Sequence, residues 1–383
     1  MKKVLFVFNH PAPYKVRLLN KLADFLDLTV IFERDINKDR QKDFYFENKH
    51  GFKQVFIKGK KLGNENFVSN GLVKHLKKNK YDLVIMNGYS TFAEMKAIKY
   101  LKKHKINYCL YINGGIIKKN ESKFKKKLKT KYISGANMYM SPDSNSNEYL
   151  IYYGANKDLI FNYTYSTIYE SEILTRIPAK DEIINARRQK NISAQYVYVS
   201  CGQLIPRKNY LSLVEKWPSD ENKQLLIIGE GPQRTQIENY LKNNPSKNVK
   251  LLGFLKREEI FSYYKLSDAF IFPSLEDIYG HVINEALSQG LPIISSTNIN
   301  SSRKLIKENV NGLFLNCFNQ DNLNFALDAI KKLDKTNSLK TAKENTIEIM
   351  VNDHKKILLW VFYFLAISTS FCSNWRIIFS IDK

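Results

Sequence analysis

The chain has 383 residues, 44% of them hydrophobic and 25% charged, with 60 Lys and Arg against 37 Asp and Glu for a net charge of +23. The 23 Tyr and 23 Phe exclude wholesale disorder, and the length suits two domains. Cys109, Cys201, Cys317 and Cys372 lie far apart without a CxxC pair, which excludes a disulfide scaffold.

The first apolar run, Val4 to Phe8, is cut short by Asn9-His10-Pro11. It is too brief for a signal peptide and reads as a buried first strand with a loop behind it. Strands are predicted next at Leu28–Phe32, Leu83–Met86, Tyr108–Ile112 and Met138–Ser141, with helices such as Val16–Phe25 and Phe92–Lys103 between them. Asn113-Gly114-Gly115 closes one of these strands. Lys118 to Tyr132 then holds eight lysines, from Lys118 and Lys119 to Lys129 and Lys131. Phe124, Leu128 and Tyr132 recur at i, i+4 and i+8, so they stack on one helix face. A basic amphipathic helix of this kind suits an anionic membrane surface, or a helix docked on its own sheet with its lysines in water.

Residues 163–192 show no strand run and include Ile177-Pro178-Ala179, which disfavours one continuous helix. The domain boundary is placed there. A second series follows, with strands at Tyr196–Ser200, Gln224–Ile228, Val249–Leu252, Ala269–Phe272 and Pro292–Ser295. Helices fall near 208–216, 232–243, 256–264, 280–289 and 301–308. Such alternation predicts two α/β units with parallel sheets, whose ligands bind beyond the C-terminal strand ends. The run Ile357 to Phe371, flanked by Lys355, Lys356 and Arg376, is shorter than the roughly 20 residues of a spanning helix and reads as a packed or interfacial element. The charge is uneven: residues 1–165 hold 32 Lys and Arg against 14 Asp and Glu, residues 166–383 hold 28 against 23. The excess suits an anionic partner of the first half, whether membrane, nucleic acid or a phosphorylated substrate, or a general Lys- and Asn-rich bias carried on solvated faces.

Three segments of the second half carry candidate chemistry. Gly202-Gln203-Leu204-Ile205-Pro206-Arg207-Lys208-Asn209 places two cations between a strand end and a helix start, as a phosphate cradle or as a solvated basic turn. Gly229-Glu230-Gly231-Pro232 is a glycine turn after a strand, without GxGxxG spacing. Pro273 to Pro292 runs through an acidic loop, Glu276-Asp277, into a helix bounded by Gly280 and Gly290. Glu285 stands one turn past His281, on the same face.

The order and intervals of these segments resemble the family-4 retaining glycosyltransferases (glycosyltransferase group 1) of the GT-B fold over about residues 1–335, most strongly from Val199 to Gly312. Pro11-Ala12-Pro13-Tyr14-Lys15-Val16-Arg17 is similar to the first loop of one branch. The sequence departs from the family pattern at Gln203, where an arginine is expected, at Asn209, where a glycine is expected, and at Asp277, which stands for the first Glu of Glu-x7-Glu while Glu276 is out of register.

The resemblance implies two Rossmann-like parallel-sheet domains facing a cleft: residues 1–165 on the acceptor side, a linker at 166–192, a nucleotide-sugar donor domain at 193–335, and a helical, apolar tail at 336–383. It implies that Lys208 and Arg207 neutralise the donor diphosphate, that Glu285 holds the ribose hydroxyls and that Asp277 positions the donor sugar. Gly202, Gln203, Gly231, Phe254 and Leu255 would flank the donor, and the backbone of Tyr279, Gly280, His281 and Val282 would face its phosphates. His10, Asn113 and Gly114 are acceptor-side candidates. Because held cations suffice for a good leaving group, and no Asp-x-Asp pair offers a metal bridge, the reaction is expected to be metal-independent, with no cofactor beyond a UDP- or GDP-sugar co-substrate. The expected activity is hexosyl or N-acetylhexosaminyl transfer to a lipid-linked cell-surface glycan, in capsule, lipopolysaccharide or exopolysaccharide synthesis. The expected location is the cytoplasm, peripheral at the inner face of the plasma membrane, with Lys118–Lys131 against anionic lipid. Alternatives are a GT-B-fold nucleotide-sugar epimerase, which would need further acid/base groups in the cleft, and a basic nucleic-acid-binding protein, for which no binding module is visible.

Overall fold

The computed structural model describes residues 1–34, 51–62, 66–118, 120–316 and 319–370. Lys119, Cys317, Phe371, Cys372 and Arg376 lie outside the described residues. The first half contains strands β1 (Lys3–Phe8), β2 (Asp27–Phe32), β3 (Lys53–Phe56), β4 (Lys60–Leu62), β5 (Asn66–Val68), β6 (Leu83–Met86), β7 (Tyr108–Tyr111), β8 (Met138–Ser141) and β9 (Ile160–Asn162). Helices α1 (Pro13–Ala23), α2 (Gly71–Lys78), α3 (Phe92–Lys103), α4 (Lys123–Ile133) and α5 (Ser144–Tyr152) alternate with them, and α6 (Lys180–Gln189) leads into the second half.

There, β10 (Tyr196–Cys201), α7 (Tyr210–Lys216), β11 (Lys223–Ile228), α8 (Arg234–Asn243), β12 (Val249–Gly253), α9 (Arg257–Leu266), β13 (Ala269–Phe272), α10 (Val282–Ser288), β14 (Ile293–Ser295), α11 (Asn300–Leu305), β15 (Gly312–Phe314) and α12 (Gln320–Ile330) repeat the pattern. Helices α13 (Thr336–Lys343) and α14 (Ile347–Ser370) follow.

Among the described residues the first sheet has the order β3-β2-β1-β6-β7-β8-β9 and the second β12-β11-β10-β13-β14-β15. Every pairing within them is parallel. A parallel sheet is covered on both faces, which is why its central strands are unbroken apolar runs. Along β1, Val4, Phe6 and Phe8 enter one core layer while Leu5 and Val7 enter the other, the two-residue period of a strand. The strands β3, β9 and β15 were not expected from sequence. Among the described residues each is a sheet edge, short and paired on one side, and it lacks the long continuous apolar run of a central strand.

The tail does not end the second domain but returns to the first. Helix α14 buries Ile347, Met350, Val351, Ile357, Leu358, Val361 and Phe362 in the core layer that holds Val4, Phe6, Leu19 and Leu22. Burying each such side chain stabilises the crossover by about 1.5–3 kcal/mol. Among the described residues no helix is long and apolar enough to cross a membrane. The two passages between domains are tied together: Ser166 Oγ donates to the Asn345 carbonyl (2.7 Å), and Asn284 Nδ2 of α10 donates to both (2.8 and 3.0 Å).

In each sheet the chain order reverses beside its first strand, between β1 and β6 and between β10 and β13. The loops beyond these switch points are where α/β folds bind ligands. The two sets of loops meet. Gly114, beyond β7, has φ +146°, and a Cβ there would overlap the Ile278 carbonyl oxygen beyond β13. Asn300 Nδ2 donates to Gly115 O (3.4 Å), Arg303 to Asn145 Oδ1 (2.6 Å) and Lys304 to Pro142 O (2.7 Å).

Candidate active site

Three loops beyond β10, β11 and β12 run side by side at the second switch point. Gly202 N donates to Ile228 O and Leu204 N to Glu230 O, both at 2.9 Å, and Gly229 N donates to Gly253 O at 2.7 Å. The approach is so close at Gly229, φ +141°, that a Cβ would overlap the Gly202 carbonyl oxygen. Gly231 lies against Leu204 in the same stack, and Gln203 is exposed on its outer side. The glycine turns are therefore packing devices as well as open floor.

The expected single helix at 208–216 is divided. Pro206–Lys208 forms one 3₁₀ turn, Asn209 takes a left-handed conformation at φ +62°, and α7 begins at Tyr210. Asparagine is among the non-glycine residues that best tolerate this region, which explains why Asn209 can stand where the resemblance expects glycine.

The turn aims Lys208 Nζ at Asp277, with which it forms an ion pair. Nζ also lies 4.5 Å from the centre of the Phe272 ring. Arg207 Nη1 is 3.9 Å from the same Asp277 oxygen, and the Arg207 carbonyl accepts from Leu275 N (2.9 Å) and Ser274 Oγ (3.2 Å). Burial pulls the Lys208 ammonium below the usual lysine range, and the Asp277 charge opposes that shift. Glu276 is exposed, so the residue in register is also the one the fold turns inward.

The Glu285 amide donates to the His281 carbonyl (3.1 Å), while its carboxylate turns to Arg257. Its Oε1 accepts from Arg257 Nη1 at 2.8 Å, and Arg257 Nε reaches Glu172 Oε1 at 3.0 Å. The His281 ring instead packs against Tyr14, Tyr165 and Tyr279, with centroids 4.4–5.0 Å away. Tyr279 is buried, and its amide lies 3.4 Å from Asp277 Oδ1. Gly280 turns at φ +92° and Val282 opens α10. Phe254 is exposed and Leu255 packs on the core of the second domain. Cys201, at the end of β10, is buried. Burial pushes its thiol up to about 12, with Glu285 adding to the shift and Lys208 opposing it.

On the facing wall His10 is buried beyond β1, Asn113 Oδ1 lies 3.4 Å from Tyr163 Oη, and Gly114 touches the Ile278 loop. Sequence reading missed the charged residues beneath this wall. Glu33, at the end of β2, and Glu94, in α3, are both buried. Thr91 Oγ1 donates to Glu33 Oε1 (2.6 Å) and Thr91 N to Glu94 Oε2 (3.0 Å). Burial, then the neighbouring Glu94, raises the Glu33 carboxyl to about 8, against the Thr91 hydrogen bond and Arg34. Arg257 was also missed. A signal for it existed, because a cation in the first turn of a helix opposes the dipole and calls for an acidic partner.

Two parallel-sheet α/β domains meeting in this way have the GT-B fold. Residues 182–348, most of the second domain, match the family described as Glycosyl transferases group 1. The chain is 31% identical over 106 residues to alpha-monoglucosyldiacylglycerol synthase of Acholeplasma laidlawii, covering 27% of this chain and 26% of that protein. It is 33% identical over 144 residues to the UDP-Gal:alpha-D-GlcNAc-diphosphoundecaprenol alpha-1,3-galactosyltransferase of Escherichia coli, covering 36% and 35%. These matches span about a quarter to a third of the curated relatives' lengths. Over 94% of the chain the structure is similar to Anabaena HepE in complex with UDP and glucose, covering 99% of that chain with a TM-score of 0.71 at 16% identity.

Proposed function

We propose that the protein is a metal-independent retaining glycosyltransferase that moves a hexosyl or N-acetylhexosaminyl group from a nucleoside-diphosphate sugar to a lipid-linked cell-surface glycan. The observation that carries this reading is the pairing of Lys208 and Arg207 with Asp277 at the switch point of the domain that matches the group 1 family. A nucleoside diphosphate leaves readily once its growing charge is held by placed cations. Lys208 and Arg207 take that role, Asp277 holds a sugar hydroxyl, and Glu285 holds the ribose. The acceptor sits on the opposite wall, at His10, Asn113 and Gly114. Retention is assigned to attack on the face the diphosphate leaves, with the departing phosphate taking the acceptor's proton, so no carboxylate nucleophile is required. The similarity to enzymes named for diacylglycerol and diphosphoundecaprenol substrates supports a lipid-linked acceptor.

The test is thermal stabilisation by UDP-, GDP- and ADP-sugars, since a ligand that binds only the folded state raises its melting temperature. At least one donor is expected to raise Tm, and Glu285→Ala to abolish that shift. A parent unmoved by all three overturns the reading.

Membrane contact at the inner face of the plasma membrane is assigned to the first turns of α4. Phe124 is 76% exposed there, ringed by exposed Lys123, Lys125, Lys126 and Lys127. The later turns are occupied otherwise: Tyr132 is buried, Leu128 packs on the first domain's core, and Lys129 pairs with Glu121 at 2.5 Å. Since each surface lysine contributes about 1 kcal/mol toward anionic lipid, changing these four exposed lysines to Gln is expected to weaken partition by up to about a thousandfold. Flotation with phosphatidylserine-containing liposomes reads this, and unchanged recruitment counts against the contact.

A further inference from the structure

One side chain joins the Glu285 carboxylate to the passage between domains. Arg257, the first residue of α9, donates Nη1 to Glu285 Oε1 (2.8 Å), Nε to Glu172 Oε1 (3.0 Å) and Nη2 to the Thr167 carbonyl (3.2 Å). Its guanidinium lies over the Phe261 ring at 4.7 Å. Three acceptors on two elements thus use the separate arms of a planar fork, a geometry lysine does not offer. Glu172 is held in turn. Its Oε2 accepts from Tyr169 N (2.7 Å) and lies 3.8 Å from Arg17 Nη1, on α1 of the first domain. Arg17 itself lies over the Tyr169 ring at 5.0 Å. A row of alternating charges, Arg17–Glu172–Arg257–Glu285, therefore runs from the first domain through the crossover to the second. Among the described residues, the hydrogen bonds to the Glu285 carboxylate engage it only through Oε1.

We propose that Arg257 is a positioning residue of the donor site: it aligns the Glu285 carboxylate by one oxygen, leaves the other for the ribose hydroxyls, and through Glu172 and Arg17 links that alignment to the first domain. The inference rests on the transferase reading and assigns a residue to it. Held in this way, the carboxylate accepts charge-assisted hydrogen bonds from hydroxyl donors. Arg257 itself touches no donor atom.

The test compares parent, Arg257→Gln, Arg257→Lys and Glu172→Gln by calorimetric titration with UDP, GDP, ADP, the 2′,3′-dideoxy form of the preferred nucleotide, and inorganic pyrophosphate. Loss of one charge-assisted alignment is expected to weaken binding of the preferred nucleotide about tenfold in both Arg257 variants and about two- to threefold in Glu172→Gln. Pyrophosphate, which addresses only Lys208 and Arg207, should bind all four proteins alike, and the variants should lose the parent's preference for the ribose over the dideoxy form. Equal nucleotide affinity in parent and variants overturns the inference. So does a parallel loss for nucleotide and pyrophosphate, which marks a general structural lesion. Should Arg257→Gln fail to fold, Arg257→Lys and Glu172→Gln carry the same comparison. A parent that binds none of the three nucleoside diphosphates sinks the transferase reading itself, an outcome distinct from failure of the Arg257 assignment.

Discussion

Replacing Lys208 by Met is expected to lower kcat/KM for sugar transfer by about 10²–10³-fold, the scale on which removal of a preorganised charge-stabilising group slows a reaction. The side chain is buried beside Phe272 and paired with Asp277, so its cation is already desolvated and fixed before any ligand arrives. On the proposed reading the departing diphosphate takes over the place of the Asp277 carboxylate beside Lys208. That exchange makes a second result of opposite sign. Asp277→Asn removes the competing anion, so nucleoside diphosphate is expected to bind more tightly while turnover falls, because the sugar loses its anchor. Transfer rates and titration of nucleoside diphosphate read the two effects separately. If Lys208→Met transfers sugar at the parental rate, the diphosphate assignment is wrong.

Glu33 is expected to make stability depend on pH. Its carboxyl moves from 4.5 to about 8, driven by burial and then by Glu94, itself raised by burial. Below pH 4.5 folded and unfolded chains both hold the proton, and the contribution of this neutral, buried carboxyl is fully present. As pH climbs from 4.5 toward 8 the unfolded chain alone releases the proton, so folding stability falls. Once pH passes the folded value, the contribution is lost. A shift of this size corresponds to something on the order of 3–5 kcal/mol. Gln at position 33 keeps the shape of the neutral acid and has no proton to release. The parent is expected to lose several degrees of Tm between pH 5 and pH 9, and Glu33→Gln to lose distinctly less. Parallel Tm curves for the two proteins would show that Glu33 titrates as an ordinary carboxylate.

Much of the second domain is legible along the chain because its signals are local. Central strands such as Ala269–Phe272 are apolar runs, glycines mark several of the turns behind the strands, and Gly280 and Gly290 bracket a helix within a residue or two. The register of Asp277 against Glu285 is likewise a count along the sequence. Edge strands were harder. Among the described residues Lys53–Phe56 pairs only with β2, and its mixed composition matches no buried-strand pattern. The amphipathic stripe of α4 was real but split in use, since its last turns dock on the sheet and its first turn faces outward.

By itself, the sequence determined that two parallel α/β units exist, where their glycine turns lie, and which cations and carboxylates stand beside them. Those features follow from hydrogen bonding and burial periods that act between near neighbours. Only the tertiary structure decided which charges meet. Lys208 reaches Asp277 across 69 residues, Arg257 reaches Glu285 across 28 and Glu172 across 85. It also decided that the apolar tail closes the first domain's core rather than ending the second. Electrostatic and packing energies depend on distance through space, and that distance is set by the order in which parallel strands are laid into the two sheets.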